Sequence, residues 1–151
     1  HKGVAKSGGG NHRGSIFRLL VGNAHISRDD LNLLSWGQGS SAKRAVTDGE
    51  LQLEQLVSAE IGAMPFLWLE IDDEPGPSSA RGYIERNSIA LLSNFNKPLL
   101  DAPSQSWLGL SSDRSLVRES GLWNSNHVQE DYDRIFLNEL ESFIAALEAQ
   151  P

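Results

Sequence analysis

Cysteine does not occur in this sequence of 151 residues. Its absence excludes a disulfide scaffold, a cysteine nucleophile and a cysteine-ligated metal site. It also fits a reducing compartment. A chain of this length needs no crosslinks, because it can bury roughly 70% of the surface that its unfolded form exposes. The length suits one domain. No apolar run approaches the about 20 residues that a membrane-spanning helix needs, so no membrane partner is expected. The histidines, His1, His12, His25 and His127, form no pair at zinc-site intervals. There is no Walker loop, no GxGxxG and no GxSxG elbow, and "GQGSSAKR" has neither the spacing nor the context of a phosphate loop. A start at His1 rather than Met reads as a fragment or a processed product.

Charge is present but uneven. The net charge is -7, which argues against a freestanding non-specific nucleic-acid binder. Yet residues 1–28 carry Lys2, Lys6, Arg13, Arg18 and Arg28 with no acid. Residues 119–151 carry seven acids and a single base, Arg134. A basic end can steer an anion toward the chain, or it can be an ordinary surface.

Apolar spacing supplies the elements. "SGGG" predicts loop over residues 1–14. "SIFRLLVGNA" has helical spacing with Ser15 as N-cap, and a strand is its close competitor. Thr47 and Asp48, followed by Glu50 and Glu54, mark a helix start, and Gly62 its end. "MPFLWLEI" is short, apolar and aromatic, and predicts a strand over Phe66–Ile71. Ser78 or Ser79 caps a helix over residues 80–93. A last helix spans residues 131–148, with Tyr132, Phe136, Leu140, Phe143 and Leu147 packing into the core. The fold class expected is α/β in the α+β sense, a small mainly antiparallel sheet flanked by helices, rich in helix. A lone strand leaves its backbone groups unpaired, so residues 16–22 or 31–36 must pair with it, or else a part of the protein absent from this sequence.

Glu85 is the residue that periodicity cannot place comfortably. On a helix, Ala80, Tyr83, Ile84, Asn87 and Leu91 share one side, while Glu85, Ile89 and Leu92 form a second apolar stripe. A carboxylate on a covered stripe needs an ion pair, a capping role or a bound cation. Arg81 at i-4 is one partner. A backbone segment from a neighbouring loop is another, and a divalent metal at the edge of a cleft is the third. Glu60 poses the same question, with a salt bridge as its expected answer. Asn87 is expected to bond within the core. Asp72, Asp73 and Glu74 are expected to be solvated.

Several short motifs occur in one order over nearly the whole chain: "GGGNHRGSIFR", "MPFLWLEI", "RGYIERNSIALLSN", "WLG" and "SGLWNSNHV". Together they resemble the C-terminal part of a GIY-YIG-type nuclease domain, of the bacterial restriction or defence kind. The resemblance implies a small antiparallel sheet with helices, a catalytic arginine on one helix, often a histidine one turn later, and a metal-binding glutamate on a later helix. Glu85 in "YIERN" matches that glutamate, as both catalytic residue and metal ligand. His1 aligns with the histidine after the catalytic arginine. Asn94 matches an asparagine near the site, with Asn96 and Asn124 as alternatives. The chain has no GIY, no YIG strand and no arginine before His1, so residues 1–151 read as a single domain or as the C-terminal part of one.

The implied activity is hydrolysis of DNA phosphodiesters with Mg2+ or Mn2+, in the bacterial cytoplasm. A metal polarises the phosphate, while a base and a cation serve the attacking water and the developing charge. Arg13 or Arg18, beside His12, would contact phosphates, and Asn124 the substrate. Surface solvation competes for both arginines, and plain solvent exposure for His12. The alternative is a non-catalytic DNA-binding or interaction module that keeps the fold without the chemistry. A structural domain in which Glu85 bridges to an arginine is the third possibility.

Overall fold

A computed structural model describes residues 6–74, 76, 78–99 and 101–148. The described residues form helices and loops, with no strand among them. Five α-helices follow one another: α1 Ile16–Asp29, α2 Arg44–Ala63, α3 Ala80–Leu92, α4 Ser115–Ser120 and α5 Phe136–Glu148. Short 3-10 turns stand at His12–Gly14 and Leu108–Ser111.

The expected antiparallel sheet is therefore overturned. Residues 66–71 have no regular structure, and no strand lies beside them to form a ladder among the described residues. Leu67 is fully exposed and Trp68 largely so. Strand preference reflects packing on a pleated, half-buried surface rather than the backbone alone. Without a neighbouring strand that preference has nothing to act on. Residues 16–22, one of the expected partners, are the start of α1, and residues 31–36 are loop and turn.

Two compact units are present, and the chain visits each twice. The first comprises His1–Pro65 and Pro103–Arg118, the second Phe66–Ala102 and Glu119–Pro151. In the first, α1 packs on α2 and on the Leu108–Ser111 turn. Ser15 caps α1 as its sequence predicts, with Oγ accepting from the Arg18 N–H. Leu20, Val21 and Ala24 of α1 meet a core that includes Leu53, Val57 and Ile61 of α2. Helix α2 starts at Arg44, three residues before the expected site, and runs one residue past Gly62. Gly22 has no side chain where the Trp36 indole lies, and a Cβ there would collide with the ring.

In the second unit, α3 packs against α5. Ser79 is the N-cap of α3, its Oγ accepting from the Gly82 N–H at 3.1 Å. Ile84, Asn87 and Ala90 form its buried face. Asn87 ties α3 to the segment just before α5, as expected of a core amide. Its Nδ2 donates to the Tyr83 carbonyl at 2.8 Å, and its Oδ1 accepts from the Asp133 N–H at 2.7 Å. Asp133 Oδ1 in turn accepts from the Ile135 N–H at 2.9 Å. Helix α5 begins after it, at Phe136 rather than 131. Phe136 is fully buried, and Leu140, Phe143 and Leu147 are half-buried.

Candidate functional site

Helix α2 carries carboxylates on its buried face. Glu50, Leu53, Glu54, Val57, Ser58 and Ile61 are all buried, at the i, i+3, i+4, i+7 spacing of a core stripe. Each acid meets an arginine. Arg13 Nη1 and Nη2 donate to the two Glu50 oxygens at 2.6 and 2.8 Å. Arg18 Nε and Nη2 donate to Glu54 Oε2 at 3.2 and 2.8 Å, and Nη2 also reaches Ser58 Oγ at 2.7 Å. The Arg13 partner holds the Glu50 carboxyl below its ordinary value, since the hydrogen bond favours the charged form.

His12 completes this network. Its backbone N–H and its Nδ1 both meet Glu54 Oε1, at 2.6 and 3.0 Å. The Gly37 N–H donates to Nε2 at 3.1 Å, so Nε2 accepts and Nδ1 carries the hydrogen. The ring stacks on Trp36 with centroids 3.7 Å apart.

Solvent exposure, expected for His12 from its Gly-rich loop, is thus overturned: 2% of its surface is accessible. The glycines explain why. A Cβ on Gly9 would lie 3.0 Å from Leu51 Cδ1 of α2, and one on Gly10 would strike the Arg18 guanidinium of α1, so this loop lies close against both helices only without side chains. Surface solvation fails for Arg13 and Arg18 as well, whose side chains are 4% and 5% exposed. A phosphate approaching either guanidinium would meet a carboxylate already bonded to it.

Glu85 lies in the second unit and is exposed. The covered stripe expected for it does not exist: Leu92, about two turns further along α3, is 61% exposed. Helix α3 buries one face, and Glu85 is off it. Arg81 is not its partner, because Arg81 Nη2 pairs with Asp73 at 3.2 Å and its N–H donates to the same carboxylate. Asp73 is accordingly engaged rather than merely solvated. The Glu85 side chain has no hydrogen bond or ion pair among the described residues, and neither has that of Glu60, whose expected salt bridge is absent among them.

Glu85 opens on a pocket of about 330 Å³, lined also by Arg86, Ile89, Asn124, Asn126 and His127. Asn124 Oδ1 accepts from the Asn126 N–H at 2.8 Å, shaping the loop. Of the residues singled out in the sequence, the structure therefore brings Glu85 and Asn124 to one pocket. Asn94 is elsewhere in the same unit, donating to the Asp101 carbonyl at 3.1 Å and bonding to Ser120 through its own N–H. Asn96 is exposed. His1 lies outside the described residues.

Sequence reasoning missed the charged face of α2 and the loop around His127. The first has a signal, since Glu50 and Glu54 share the period of Leu53 and Val57. The second has none, because an irregular loop has no period.

The chain belongs to the GIY-YIG family: the family model described as the GIY-YIG domain matches residues 1–150. Domains of this family are in general endonucleases with DNA as substrate. No curated protein and no solved structure matches the chain. No helix among the described residues is long and apolar enough to cross a membrane.

Proposed function

We propose that this protein is a divalent-metal-dependent DNA endonuclease with Glu85 as its metal-binding carboxylate. The observation that carries the proposal is the state of Glu85. It is the acid of "YIERN", it has no partner among the described residues, and it faces a polar pocket. Buried acids such as Glu50 and Glu54 have arginines; Glu85 is left for something else.

The donor set suits magnesium or manganese. No group of three or more His, Asp or Glu is placed to hold a metal among the described residues. A cation here would keep most of its ligands as water, which Mg2+ does when one or two carboxylates bind it. Glu85 would hold it, with the Asn124 and Asn126 amide oxygens as further donors. When bound, the ion polarises a phosphate oxygen and stabilises the leaving oxygen. The amide N–H groups of the two asparagines can position the DNA backbone by donating to phosphate oxygens.

Mn2+ titration of the isotope-labelled protein tests the assignment. Paramagnetic broadening is expected at amides around Glu85 and Asn124–His127, and its loss in Glu85→Gln. Equal broadening in that variant, or none at the pocket in the unaltered protein, removes Glu85 from the metal site. Nicking of supercoiled plasmid in Mg2+, lost in Glu85→Gln, is the matching activity measurement.

A further inference from the structure

His127 lines the same pocket as Glu85, and its setting differs from that of an ordinary surface histidine. Its Nδ1 lies 2.8 Å from Glu130 Oε1. An ionised carboxylate can only accept, so Nδ1 carries the hydrogen, and in the neutral ring Nε2 holds a lone pair. Nε2 has no partner among the described residues. Glu130 is itself held, since its Oε2 accepts from Arg86 Nε at 2.6 Å. The His127 hydrogen bond, followed by that of Arg86, keeps the Glu130 carboxyl below its ordinary value.

The backbone is constrained as well. His127 sits at φ +60°, the left-handed region that non-glycine residues seldom adopt. Such conformations persist where surrounding bonds over-determine them, and they gather at functional sites. Here the bonds are visible. Ser93 Oγ donates to the Val128 carbonyl at 2.6 Å, and Lys97 Nζ donates to the Glu130 and Ala90 carbonyls at 3.0 and 2.7 Å. A surface ion pair alone would stabilise little and would need no strained backbone.

We propose that His127 accepts the proton of the water that attacks a DNA phosphodiester in this pocket, with Glu130 and Arg86 as its positioning residues. The inference rests on the nuclease function proposed above. The water oxygen bonds to phosphorus as its proton passes to Nε2. The ester P–O bond breaks, and its electron pair leaves on the alcohol oxygen. That oxygen takes a proton from the imidazolium or from solvent, and the imidazole returns to its starting state. A carboxylate that orients the ring through Nδ1 leaves Nε2 to do this work.

The test is plasmid cleavage in Mg2+ by the unaltered protein, His127→Gly, Glu130→Gln and Glu85→Gln, each with and without added imidazole. Glycine tolerates the left-handed backbone and leaves room for imidazole to enter. His127→Gly is expected to cut about 100-fold more slowly or worse, with part of the rate restored by imidazole. Glu130→Gln is expected to lose less and to gain nothing from imidazole. Cleavage by His127→Gly at the unaltered rate overturns the proposal. So does a loss that imidazole fails to restore while the melting temperature is unchanged. If His127→Gly melts early, His127→Asn replaces it, since asparagine also adopts this backbone; full activity there overturns the proposal equally. Cleavage by the unaltered protein that survives Glu85→Gln but not His127→Gly would separate failure of the Glu85 assignment from this one. No cleavage by the unaltered protein overturns the nuclease function, and the role of His127 with it.

Discussion

The two units treat charge in opposite ways. In the first, Arg13, Arg18, Glu50, Glu54 and His12 are packed inside and matched to one another, oxygen to nitrogen. In the second, the charges around the Glu85 pocket are exposed or half-exposed, and Glu85 itself is matched to nothing among the described residues. His12, Arg13 and Arg18 of the first set, and Glu85, Arg86 and His127 of the second, come from short motifs of the same family resemblance. The difference teaches that a charged residue in a motif can be there to hold the fold or to meet a ligand, and that its partners decide which.

The largest expected effect breaks the first unit. Glu54→Ala would leave Arg18 and His12 buried without their carboxylate. Removing one partner of a buried pair costs about 3–5 kcal/mol, and urea unfolding would read it. Glu85→Ala, an exposed change, should stay within about 0.5 kcal/mol. Equal losses in the two variants would erase the contrast between the units.

Gly22→Ala should cost less. A methyl group would strike the Trp36 indole, and overpacking of this kind costs about 1–3 kcal/mol. Because Trp36 carries the His12 ring, the same variant should disturb the His12 and Gly37 signals in an NMR spectrum while leaving those of Asn124–His127 in place. Disturbance of both would mean that the pocket depends on the first unit's core.

Acid and base should have the smallest effects. Burial and the nearby Arg28 push His25 of the first unit below its ordinary pKa of 6.5. The unfolded chain therefore takes up a proton first as pH falls below 6.5, and stability declines there. Glu50, held low by Arg13, adds a loss as pH falls below 4.5 toward its depressed value. In the second unit, the hydrogen bond to Asp133 pushes Tyr83 up to about 12 from 10.0. Its contribution is complete below pH 10 and is lost as pH rises toward 12. Melting curves across pH should show a shallower acid decline in His25→Gln and a shallower alkaline decline in Tyr83→Phe.

The helices could largely be read in the sequence, and the reasons are local. Ser15 and Ser79 cap α1 and α3 through their own hydroxyls, a bond that three residues determine. Asn87 shares the period of Ile84, so its burial follows from spacing. The strand over Phe66–Ile71 could not be settled that way, because a strand is defined by a neighbour that local spacing does not specify. The covered stripe expected around Glu85 fails for a related reason. A wheel assigns residues to stripes, but contacts with other elements decide which stripe is covered, and only the Ile84, Asn87 and Ala90 face is. His127 was visible only as a histidine without a zinc partner. Its link to Glu130 spans a single turn, but its place beside Glu85 is set by bonds from Ser93 and Lys97.

Those bonds have a mechanical consequence. The segment 127–130 has no regular structure of its own, yet side chains from α3 and just beyond it hold three of its atoms: the Val128 carbonyl, the Glu130 carbonyl and the Glu130 carboxylate. Three points of attachment fix a body against both translation and rotation. A tilt of α3 would then carry Glu85 and the imidazole together, so the pocket could travel without changing its internal dimensions.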